Sequence, residues 1–586
     1  MFCTSYRVPS TKYLPQIYFL IWMMFLSTGL PAQVNTTTNR PYPQNYFRRP
    51  LDLKPSIIGT FGDLRKNHFH SGLDYRTNQR EGYPVYAVAD GFISRIKVQI
   101  GGFGNALYID HPNGYTSVYA HLQRFNEPIA HEIKNCQYQI QSFEIDFPLL
   151  SNQIPIKKGE IIGWSGNTGS SSGPHLHFEI RDTKTEEIIN PQQFGLALPD
   201  HTKPEIDGLY SYQIDNSPFN DRTPKHFFAT KGTNGAYQLA QSSPIIISKE
   251  TGFGIIAYDR LSPLDSKHNV YSIHLLIDGK PIYASQWERF SFDHSKAINS
   301  YIDYPTWITS GRWIQKSFVE PGNPLCVYKN LINNGLFSAT DDQVHLVQYL
   351  VKDIQGNTST LNFKVKYDSK ATRTNQTQTN DPHYFNYNQA NNFSTADIKI
   401  FLPKGALYSD LNFNYAVSPK PAYAFSNIYH IHNKLTPLND TIGLWIKLDN
   451  TCPMHLRTKT LIVNDQKVAQ PSFYGDGYVK ATLKTFGNFY ITIDTIAPKI
   501  VPINISEGKS MTDIPRMVFK ITDNLSGIKE FMGTIDGKWI LMEFDPKSST
   551  LWHTFDDRTT AGKHIFQLIV KDKKTNASTY HTIFFR

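Results

Sequence analysis

The chain has 586 residues, too many for one hydrophobic core, so we expect roughly three or four domains. Lysine and arginine number 59 against 50 acidic residues, and the net charge of +9 is spread along the chain without a basic block, which argues against nucleic acid as a partner. Aromatic residues at 13%, with 36 Gly and 35 Pro, favour short strands and turns, so we predict a mostly β protein.

The N-terminus has the succession of charged, apolar and small-residue regions that is typical of a secretory signal peptide, which we predict over residues 1–33. A positively charged start precedes an apolar run, residues 14–30, and the small-residue sequence PAQ follows it. An uncleaved membrane anchor is the alternative, because the run approaches the length that spans a bilayer. In both cases the rest of the chain is exported, to the periplasm, the cell envelope or the medium. Residues 34–54 then form an N-terminal extension, too short for a folded prodomain.

The chemistry lies in the next stretch, residues 55–200, which is rich in glycine. Three short segments hold the relevant side chains: HSGLD at 70–74, YAHL at 119–122 and GPHLHF at 173–178. A catalytic zinc needs three protein ligands, drawn from His and carboxylate side chains, and an open position for water. His70, Asp74 and one His of the HLH pair can supply these ligands.

The HLH pair lies in an apolar run that indicates a strand. His175 and His177 are two residues apart, so both imidazoles project from one face of that strand. One can bind the metal while the other orients or deprotonates the metal-bound water. His121 can serve the same centre or stabilise charge on a tetrahedral intermediate. The residue types alone do not decide which imidazole is the base.

These segments carry a family resemblance together with GGFGN at 101–105 and KKGEIIGWSGNTGSSSGPHLHFEI at 157–180. In the order of its segments and in their residues, the set resembles the lysostaphin-type (LytM-like) zinc endopeptidases, peptidase family M23. The resemblance covers residues 55–195, about a quarter of the chain. It implies an antiparallel β-sheet metallopeptidase domain, similar to the duplicated hybrid motif, with one Zn²⁺ per chain.

The resemblance also implies roles and a reaction. His70, Asp74 and His177 match the metal ligands, and His121 and His175 match the catalytic histidines. The implied reaction is hydrolysis of peptide cross-links or stem peptides of bacterial peptidoglycan, with a zinc-bound water as nucleophile. Peptidoglycan is therefore the expected partner. Two alternatives stay open: a catalytically silent exported adaptor that docks on the wall or activates another hydrolase, and a metallopeptidase that cuts proteins.

Two features border the predicted groove. The link between His121 and Lys157 is longer than the compact link typical of the family, so it could build a wall or flap over the groove. The Gly-rich turns have a mainly conformational role. We expect three side chains on or beside these turns, Asn105, Ser171 and Ser172, to face the groove and hydrogen-bond substrate amides.

Two downstream segments repeat each other. IDGK at 277–280 is followed by VKDxxxNxST from residue 351, and IDGK at 535–538 by the same pattern from residue 570. Each IDGK predicts a hairpin turn, and the spacing of strands and turns predicts immunoglobulin-like β-sandwiches. The wider first copy carries an insertion. We predict these domains: 55–200, metallopeptidase; 201–368, Ig-like with an insertion; 369–392, polar linker; 393–496, β domain; 497–586, Ig-like.

Asp259 and Asp523 occupy matching places in the two copies, and their polar neighbours could suggest calcium. The oxygen-rich alternation of a calcium loop is absent, however. We therefore interpret both as turn residues. The sandwich domains are candidates for contact with a cell-envelope protein, although their sequence names no ligand.

Overall fold

The computed structural model describes residues 42–151, 153–262, 265–371 and 383–586. Strands hold 45% of the residues and helices 9%, which confirms the predicted mostly β fold class. The predicted signal peptide, residues 1–33, and part of the predicted linker lie outside the described residues. Within the described ranges, no helix combines the length and the apolar character needed to cross a membrane.

The first unit, residues 42–198, holds the segments that resemble a metallopeptidase. Its strands β1 to β14 span Ile57–Gly59, Leu64–Arg65, His68–Phe69, Leu73–Arg76, Pro84–Tyr86, Gly91–Val98, Asn105–Asp110, Tyr115–Ala120, Arg124–Phe125, Ile145–Pro148, Pro155–Ile156, Ile161–Trp164, His175–Asp182 and Ile188–Ile189. Helix α1 spans Glu127–Ile140, and a 3₁₀ helix spans Pro191–Phe194. The main sheet is antiparallel in the order β1-β4-β13-β8-β7-β6-β10, and β5-β12-β9 form a second sheet.

Side chains from both sheets of the first unit share one core. Val85 on β5 and Ile162 on β12 are fully buried in the same cluster as Tyr119 on β8. Phe47 and Leu51, which precede β1, pack into this cluster as well. Burying an aliphatic or aromatic side chain of this size stabilises a fold by roughly 1.5–3 kcal/mol. The described part of the N-terminal extension therefore belongs to the packed domain.

The long link after His121 folds mainly as helix α1. Asn126 caps the helix, because its side-chain oxygen accepts a hydrogen bond from the amide of Ile129 over 3.2 Å. The helix buries Ile129 and Ile133 in the core of the first unit. It ends at Gln141, which has a left-handed backbone conformation. The helix is thus anchored on the domain by its apolar face.

The second unit, residues 199–371, is built on a 12-stranded sheet. Its strands β15 to β27 span Glu205–Gln213, Lys225–Thr233, Ala236–Leu239, Ile245–Ile247, Glu250–Tyr258, Ser272–Ile277, Lys280–Gln286, Arg289–Phe290, Gln315–Lys316, Tyr328–Leu331, Phe337–Ser338, Val344–Lys352 and Thr358–Tyr367. Helices α2 and α3 span Ile298–Tyr301 and Tyr304–Ser310, and 3₁₀ helices span Phe292–Ala297, Asn333–Gly335 and Ser369–Ala371. The order of the main path is β23-β19-β15-β16-β17-β27-β26-β20-β21-β24. Asp278 and Gly279 both have positive φ at the β20–β21 turn, which confirms the predicted hairpin.

The insertion in the second unit packs against the first unit. Its helical part lies between β22 and β23. Trp287 and Tyr301 share a buried cluster with Phe61 and Phe69 of the first unit. Strand β14 of the first unit also pairs with β22 of the second, with Ile188 opposite Phe290. The two units therefore share a core cluster and a sheet edge.

The third unit, residues 383–494, has two larger sheets around one core. Its strands β28 to β38 span Tyr384–Phe385, Asn391–Ser394, Ile398–Leu402, Leu411–Asn412, Tyr415–Ser418, Ile428–Ile431, Ile442–Lys447, Thr460–Asn464, Ser472–Gly475, Tyr478–Leu483 and Gly487–Ile493. A 3₁₀ helix spans Met454–Lys459. The sheets β29-β30-β34-β37-β36 and β32-β33-β38-β35 contribute to the same buried cluster, which is the packing of a β-sandwich.

The fourth unit, residues 495–586, repeats that arrangement. Its strands β39 to β47 span Lys499–Pro502, Lys509–Ser510, Arg516–Thr522, Ile528–Ile535, Lys538–Ile540, Glu543–Asp545, Thr550–Thr554, Lys563–Asp572 and Ala577–Phe585. The sheets β39-β41-β45-β44 and β40-β47-β46-β42-β43 enclose one core. Asp536 and Gly537, both with positive φ, form the β42–β43 turn. The second IDGK hairpin is therefore confirmed too.

Candidate metal centre

Three side chains meet where β13 pairs with its neighbour β4. His177 on β13 lies opposite Asp74 on β4, and His70 follows β3. His70 Nε2 is 3.1 Å from His177 Nδ1 and 3.0 Å from Asp74 Oδ1, and His177 Nδ1 is 2.9 Å from the same oxygen. Tetrahedral zinc with ligands about 2.0–2.1 Å away brings ligand atoms to about 3.3 Å of one another. The three side chains could therefore hold a metal ion, and their donor set fits zinc.

The outer nitrogen of each candidate ligand imidazole has a hydrogen-bond partner. His70 Nδ1 donates to the carbonyl of Thr60 over 2.7 Å. His177 Nε2 donates to Oε1 of Glu179 over 3.0 Å, and Arg181 Nε donates to the other carboxylate oxygen over 2.7 Å. Such partners fix the tautomer and the orientation of a metal-binding histidine. His70 thus presents Nε2 to the metal position, and His177 presents Nδ1.

Charge around the centre keeps the carboxylates ionised. Burial would raise the pKa of Glu179, but Arg181 and His177 outweigh it and lower that pKa to about 2. Burial likewise opposes ionisation of Asp74, and His70, His175 and His177 together hold its pKa well below the usual range. Ionised oxygens are the form that a metal ligand and a charged hydrogen-bond acceptor require.

Two further imidazoles lie beside the ligand atoms. His121 follows β8 and His175 begins β13, and their ring centroids are 4.8 Å apart. Each Nδ1 donates to a main-chain carbonyl over 2.8 Å, that of Thr168 for His121 and that of Gly173 for His175. Burial, with the nearby His177 and His175, lowers the pKa of His121 to about 3. His121 is therefore neutral near pH 7, with a lone pair at Nε2.

The three side chains expected to contact substrate lie around the same histidines. Asn105 Nδ2 donates to the carbonyls of Leu122 and Gln123, over 3.1 and 3.4 Å, which ties β7 to the chain after His121. Ser171 is buried, with Oγ 3.2 Å from His175 Nδ1. Ser172 is exposed. Asn105 is partly exposed, and a role of any of the three in substrate binding stays a prediction.

Sequence reasoning missed the residues that support the candidate ligands. Glu179 could have been found, because it lies two residues after His177 on the same strand face. Thr60 carried no signal, since it acts through its main-chain carbonyl. Arg65 contributes an Nη2 that lies 3.4 Å from Asp74 Oδ2. Its sequence position at the end of β2 does not reveal that contact.

Other units of the chain border the centre. Phe103 stacks on His177 with ring centroids 5.5 Å apart, and Phe292 of the second unit lies 6.3 Å from Phe103. Lys547 of the fourth unit donates from Nζ to the carbonyl of Asn167, in the turn before β13. The centre therefore lies where the first, second and fourth units approach one another.

The fourth unit reaches this region across helix α1. Lys134 Nζ is 2.6 Å from Asp556 Oδ2, and the Tyr138 ring contacts Trp539 edge-on with centroids 5.1 Å apart. The guanidinium of Arg558 lies 4.2 Å from the centre of the Tyr138 ring. The link that is longer than usual for the family thus provides the surface on which the fourth unit packs.

Two family models match the chain, one in the first unit and one in the third. Residues 68–138 and 133–191 match the family model described as Peptidase family M23, and residues 382–494 match that of a Zu5-like domain. The chain is 37% identical over 134 residues to the DD-carboxypeptidase/endopeptidase Mpg of Neisseria meningitidis serogroup B, a stretch covering 23% of this chain and 24% of that protein. It is 28% identical over 176 residues to the peptidoglycan DD-endopeptidase ShyC of Vibrio cholerae, covering 28% and 34%.

Among solved structures, the catalytic domain of lysostaphin from Staphylococcus simulans matches at 24% identity. That match covers 24% of this chain and 90% of the lysostaphin domain, with a TM-score of 0.18. The chain spans about a quarter of the length of the first curated relatives it matches. The similarity to these relatives is thus confined to a small part of the chain.

Proposed function

We propose that this chain, in which residues 68–191 form a domain of peptidase family M23, is an exported zinc-dependent endopeptidase that hydrolyses peptide cross-links or stem peptides of bacterial peptidoglycan. One observation carries the proposal: the three potential ligand atoms converge within 4.8 Å, and the imidazoles of His121 and His175 lie beside them. Relatives such as the peptidoglycan DD-endopeptidase ShyC of Vibrio cholerae support peptidoglycan as the substrate class.

The proposed division of labour follows from the hydrogen bonds. His70, Asp74 and His177 would hold the metal, which when bound would polarise the scissile carbonyl and lower the pKa of water. His121 and His175 each donate Nδ1–H to a carbonyl, so a neutral ring keeps its lone pair at Nε2. That is the form a general base needs. After accepting a proton, the same ring becomes a donor toward an oxyanion or a leaving amine.

Placement supports this role for His175. Its Nε2 lies 3.4 Å from Asp74 Oδ1, so the nitrogen is directed at the ligand atoms and not at solvent. The main-chain carbonyl of Gly173 and the hydroxyl of Ser171 both contact its other ring nitrogen. These contacts restrain the ring before substrate binds, which reduces the entropy that must be lost in the reaction.

Export and a cell-envelope location belong to the same proposal, because peptidoglycan lies outside the cytoplasm. A catalytically silent adaptor is the competing function. Such a protein has no need for a complete set of ligand and proton-transfer side chains, and here all five are present around one centre. A protein partner that binds the later units is a further proposal. The contacts of those units do not indicate the chemical class of that partner.

The test measures zinc content and release of new peptide ends from purified peptidoglycan, using residues 34–586. The matched pair is His177→Ala, which removes a proposed ligand, and His131→Ala, which removes an exposed His of α1. We expect about one zinc per chain and cleavage in the wild type and in His131→Ala, and neither in His177→Ala. Zinc without cleavage would point to restraint by a neighbouring unit, and absence of both zinc and cleavage would favour the adaptor.

A further inference from the structure

Three buried carboxylates meet at the junction between the first and second units. Asp200 lies in the segment that connects the 3₁₀ helix of the first unit to β15, Asp259 directly follows β19, and Asp353 directly follows β26. One carboxylate oxygen from each lies within 4.8 Å of the others, and all three residues are buried. Sequence positions more than 50 residues apart are thus brought to one point by the sheet.

The charges of this cluster are poorly balanced by the protein. In the described part of the chain, no Lys or Arg forms an ion pair with any of the three carboxylates. Asp259 is only 8% exposed, and its Oδ1 is buried without a hydrogen-bond partner. Burial and repulsion by Asp200 and Asp353 raise the pKa of Asp259 to about 7. A buried carboxylate oxygen without a hydrogen-bond partner, on one of three acids that converge, calls for a positive ligand.

The other two carboxylates are held in place by local hydrogen bonds. Asp200 Oδ1 accepts from the amide of Thr202 over 2.7 Å. Asp353 accepts from the main-chain amide of Asn357 over 2.9 Å and from its side-chain amide over 2.6 Å. Asn357 also donates to the main-chain carbonyl of Asp200 over 3.2 Å. The oxygens are therefore arranged before any ligand arrives.

The same constellation recurs in the fourth unit. Asp494, Asp523 and Asp572 occupy the corresponding places, again with one oxygen from each within 4.8 Å of the others. Asp523 Oδ1 is buried without a hydrogen-bond partner, as Asp259 Oδ1 is. Asn576 repeats the role of Asn357, with donors to Asp572 and to the carbonyl of Asp494. Two copies that differ at most other positions keep the same three acids and the same asparagine.

We propose that the clusters Asp200–Asp259–Asp353 and Asp494–Asp523–Asp572 each bind one hard divalent cation, Ca²⁺. An all-oxygen donor set suits Ca²⁺ rather than zinc, which takes nitrogen and sulfur ligands readily. Three carboxylates leave further positions for main-chain carbonyls and water. This proposal replaces the interpretation of Asp259 and Asp523 as turn residues alone. The sequence repeat did not reveal the third acid of each cluster, because that acid lies upstream of the repeat.

The positions of the clusters give the cations a structural role. Asp200 belongs to the segment that joins the first unit to the second, and Asp494 to the segment that joins the third to the fourth. A cation at each cluster would tie a connecting segment to two strands of the unit that follows it. Both junctions would then be stiffer with Ca²⁺ than without it.

The first cluster also connects to the candidate metal centre. Asp259 exchanges main-chain hydrogen bonds with His268, and His268 Nδ1 lies 3.1 Å from Asp63 Oδ2. Asp63 in turn accepts from the amide and the hydroxyl of Thr60, over 2.8 Å each. The carbonyl of Thr60 is the acceptor for His70. A cation at the first cluster would therefore stiffen the loop that orients a zinc ligand.

The test is a Ca²⁺ titration of residues 34–586 by calorimetry, in buffer passed over a chelating resin and with zinc kept in the protein. We expect two sites, with dissociation constants on the order of 10⁻⁴–10⁻³ M, as in extracellular modules. Asp259→Asn and Asp523→Asn should each lose one site, and the double variant should lose both. Asp342→Asn, which changes an exposed acid of the second unit, should keep two.

Thermal unfolding separates a cation site from a merely structural cluster. Without Ca²⁺, Asp259→Asn should unfold at the wild-type temperature or above it, because the substitution removes repulsion between buried acids. With Ca²⁺, only proteins that keep both sites should show the full rise in unfolding temperature. Absence of Ca²⁺ binding up to about 10 mM, or unchanged stoichiometry in Asp259→Asn, would overturn the proposal. Neither readout depends on peptidase activity.

Discussion

Glu179 Oε1 accepts a hydrogen bond from His177 Nε2 over 3.0 Å, while His177 Nδ1 lies 2.9 Å from Asp74 Oδ1. Glu179 therefore fixes the proton of a neutral His177 on Nε2, and Nδ1 faces the candidate ligand oxygen of Asp74. Arg181 pairs with Glu179 through an Nη2 to Oε2 distance of 2.6 Å and keeps it ionised. The relationship makes Glu179 a support of the metal centre that does not itself reach the metal position.

The first prediction is that Glu179→Gln weakens zinc binding by about 10–100-fold. Glutamine keeps an oxygen that can accept from His177, but it removes the negative charge that makes the imidazole more basic. A competition titration against a zinc chelator measures the effect. Glu186→Gln, at an exposed acid beyond β13, is the control. Equal zinc affinity in the two variants would contradict a supporting role for Glu179.

The second prediction divides the histidines by zinc content. His70→Ala and Asp74→Ala should empty the metal site, because each removes a ligand atom. His121→Ala and His175→Ala should keep zinc and lower turnover by about 10²–10⁴-fold, the usual contribution of a general acid or base. Metal analysis beside peptidoglycan cleavage makes the comparison. If all four variants retained zinc to the same extent, the division of roles would be wrong.

The third prediction concerns pH and the pair His268–Asp63. Burial would lower the pKa of His268, but the hydrogen bond and charge of Asp63 outweigh it and raise that pKa. A raised folded-state pKa adds stability below the unfolded value of about 6.5, and that stability is lost as pH rises through the folded value. The free energy of unfolding should therefore fall as pH rises above about 6.5, and less steeply in His268→Gln.

Denaturant unfolding at several pH values measures this slope. His226→Gln, at an exposed histidine of the second unit, should keep the wild-type slope. A slope that is the same in His268→Gln and in the wild type would mean that the pair does not titrate as described.

The fourth prediction tests the packing of the fourth unit on α1. Lys134→Glu should weaken it, because a carboxylate would then face Asp556. Adding Asp556→Lys should recover part of the loss, with a coupling of about 0.5–1 kcal/mol for a partly exposed pair. Hydrogen exchange of residues 538–558 reports the docking. If the double variant exchanged as fast as the sum of the single variants predicts, the ion pair would carry no coupling.

Much of the candidate site and both IDGK hairpins could be predicted because they depend on local rules. The alternation of a strand places His175 and His177 on one face, and the turn residues of IDGK require positive φ. Helix α1 was harder to predict from the sequence, because a long link can fold in several ways. The docking of Lys547 near β13 had no sequence signal at all, because it depends on how separate units pack.

The acidic clusters show the same limit in another form. Asp259 and Asp353 stand in a visible repeat, but Asp200 precedes it in a connecting segment. Its place depends on the path of the chain from the first unit into β15. A pattern along the sequence could suggest two acids of the cluster, and only the fold could add the third.

The pairing of β14 with β22 has a consequence for how such proteins are inherited and engineered. The sheet of the first unit continues into the second through Ile188 opposite Phe290. Phe61 packs against Phe290, and Phe69 packs against Trp287. A gene fragment that ended before the second unit would encode a protein with a bare strand edge and an apolar patch, both of which promote aggregation. The two units are therefore not modules that can be exchanged independently of each other. Recombination that replaced one would have to replace the other with it.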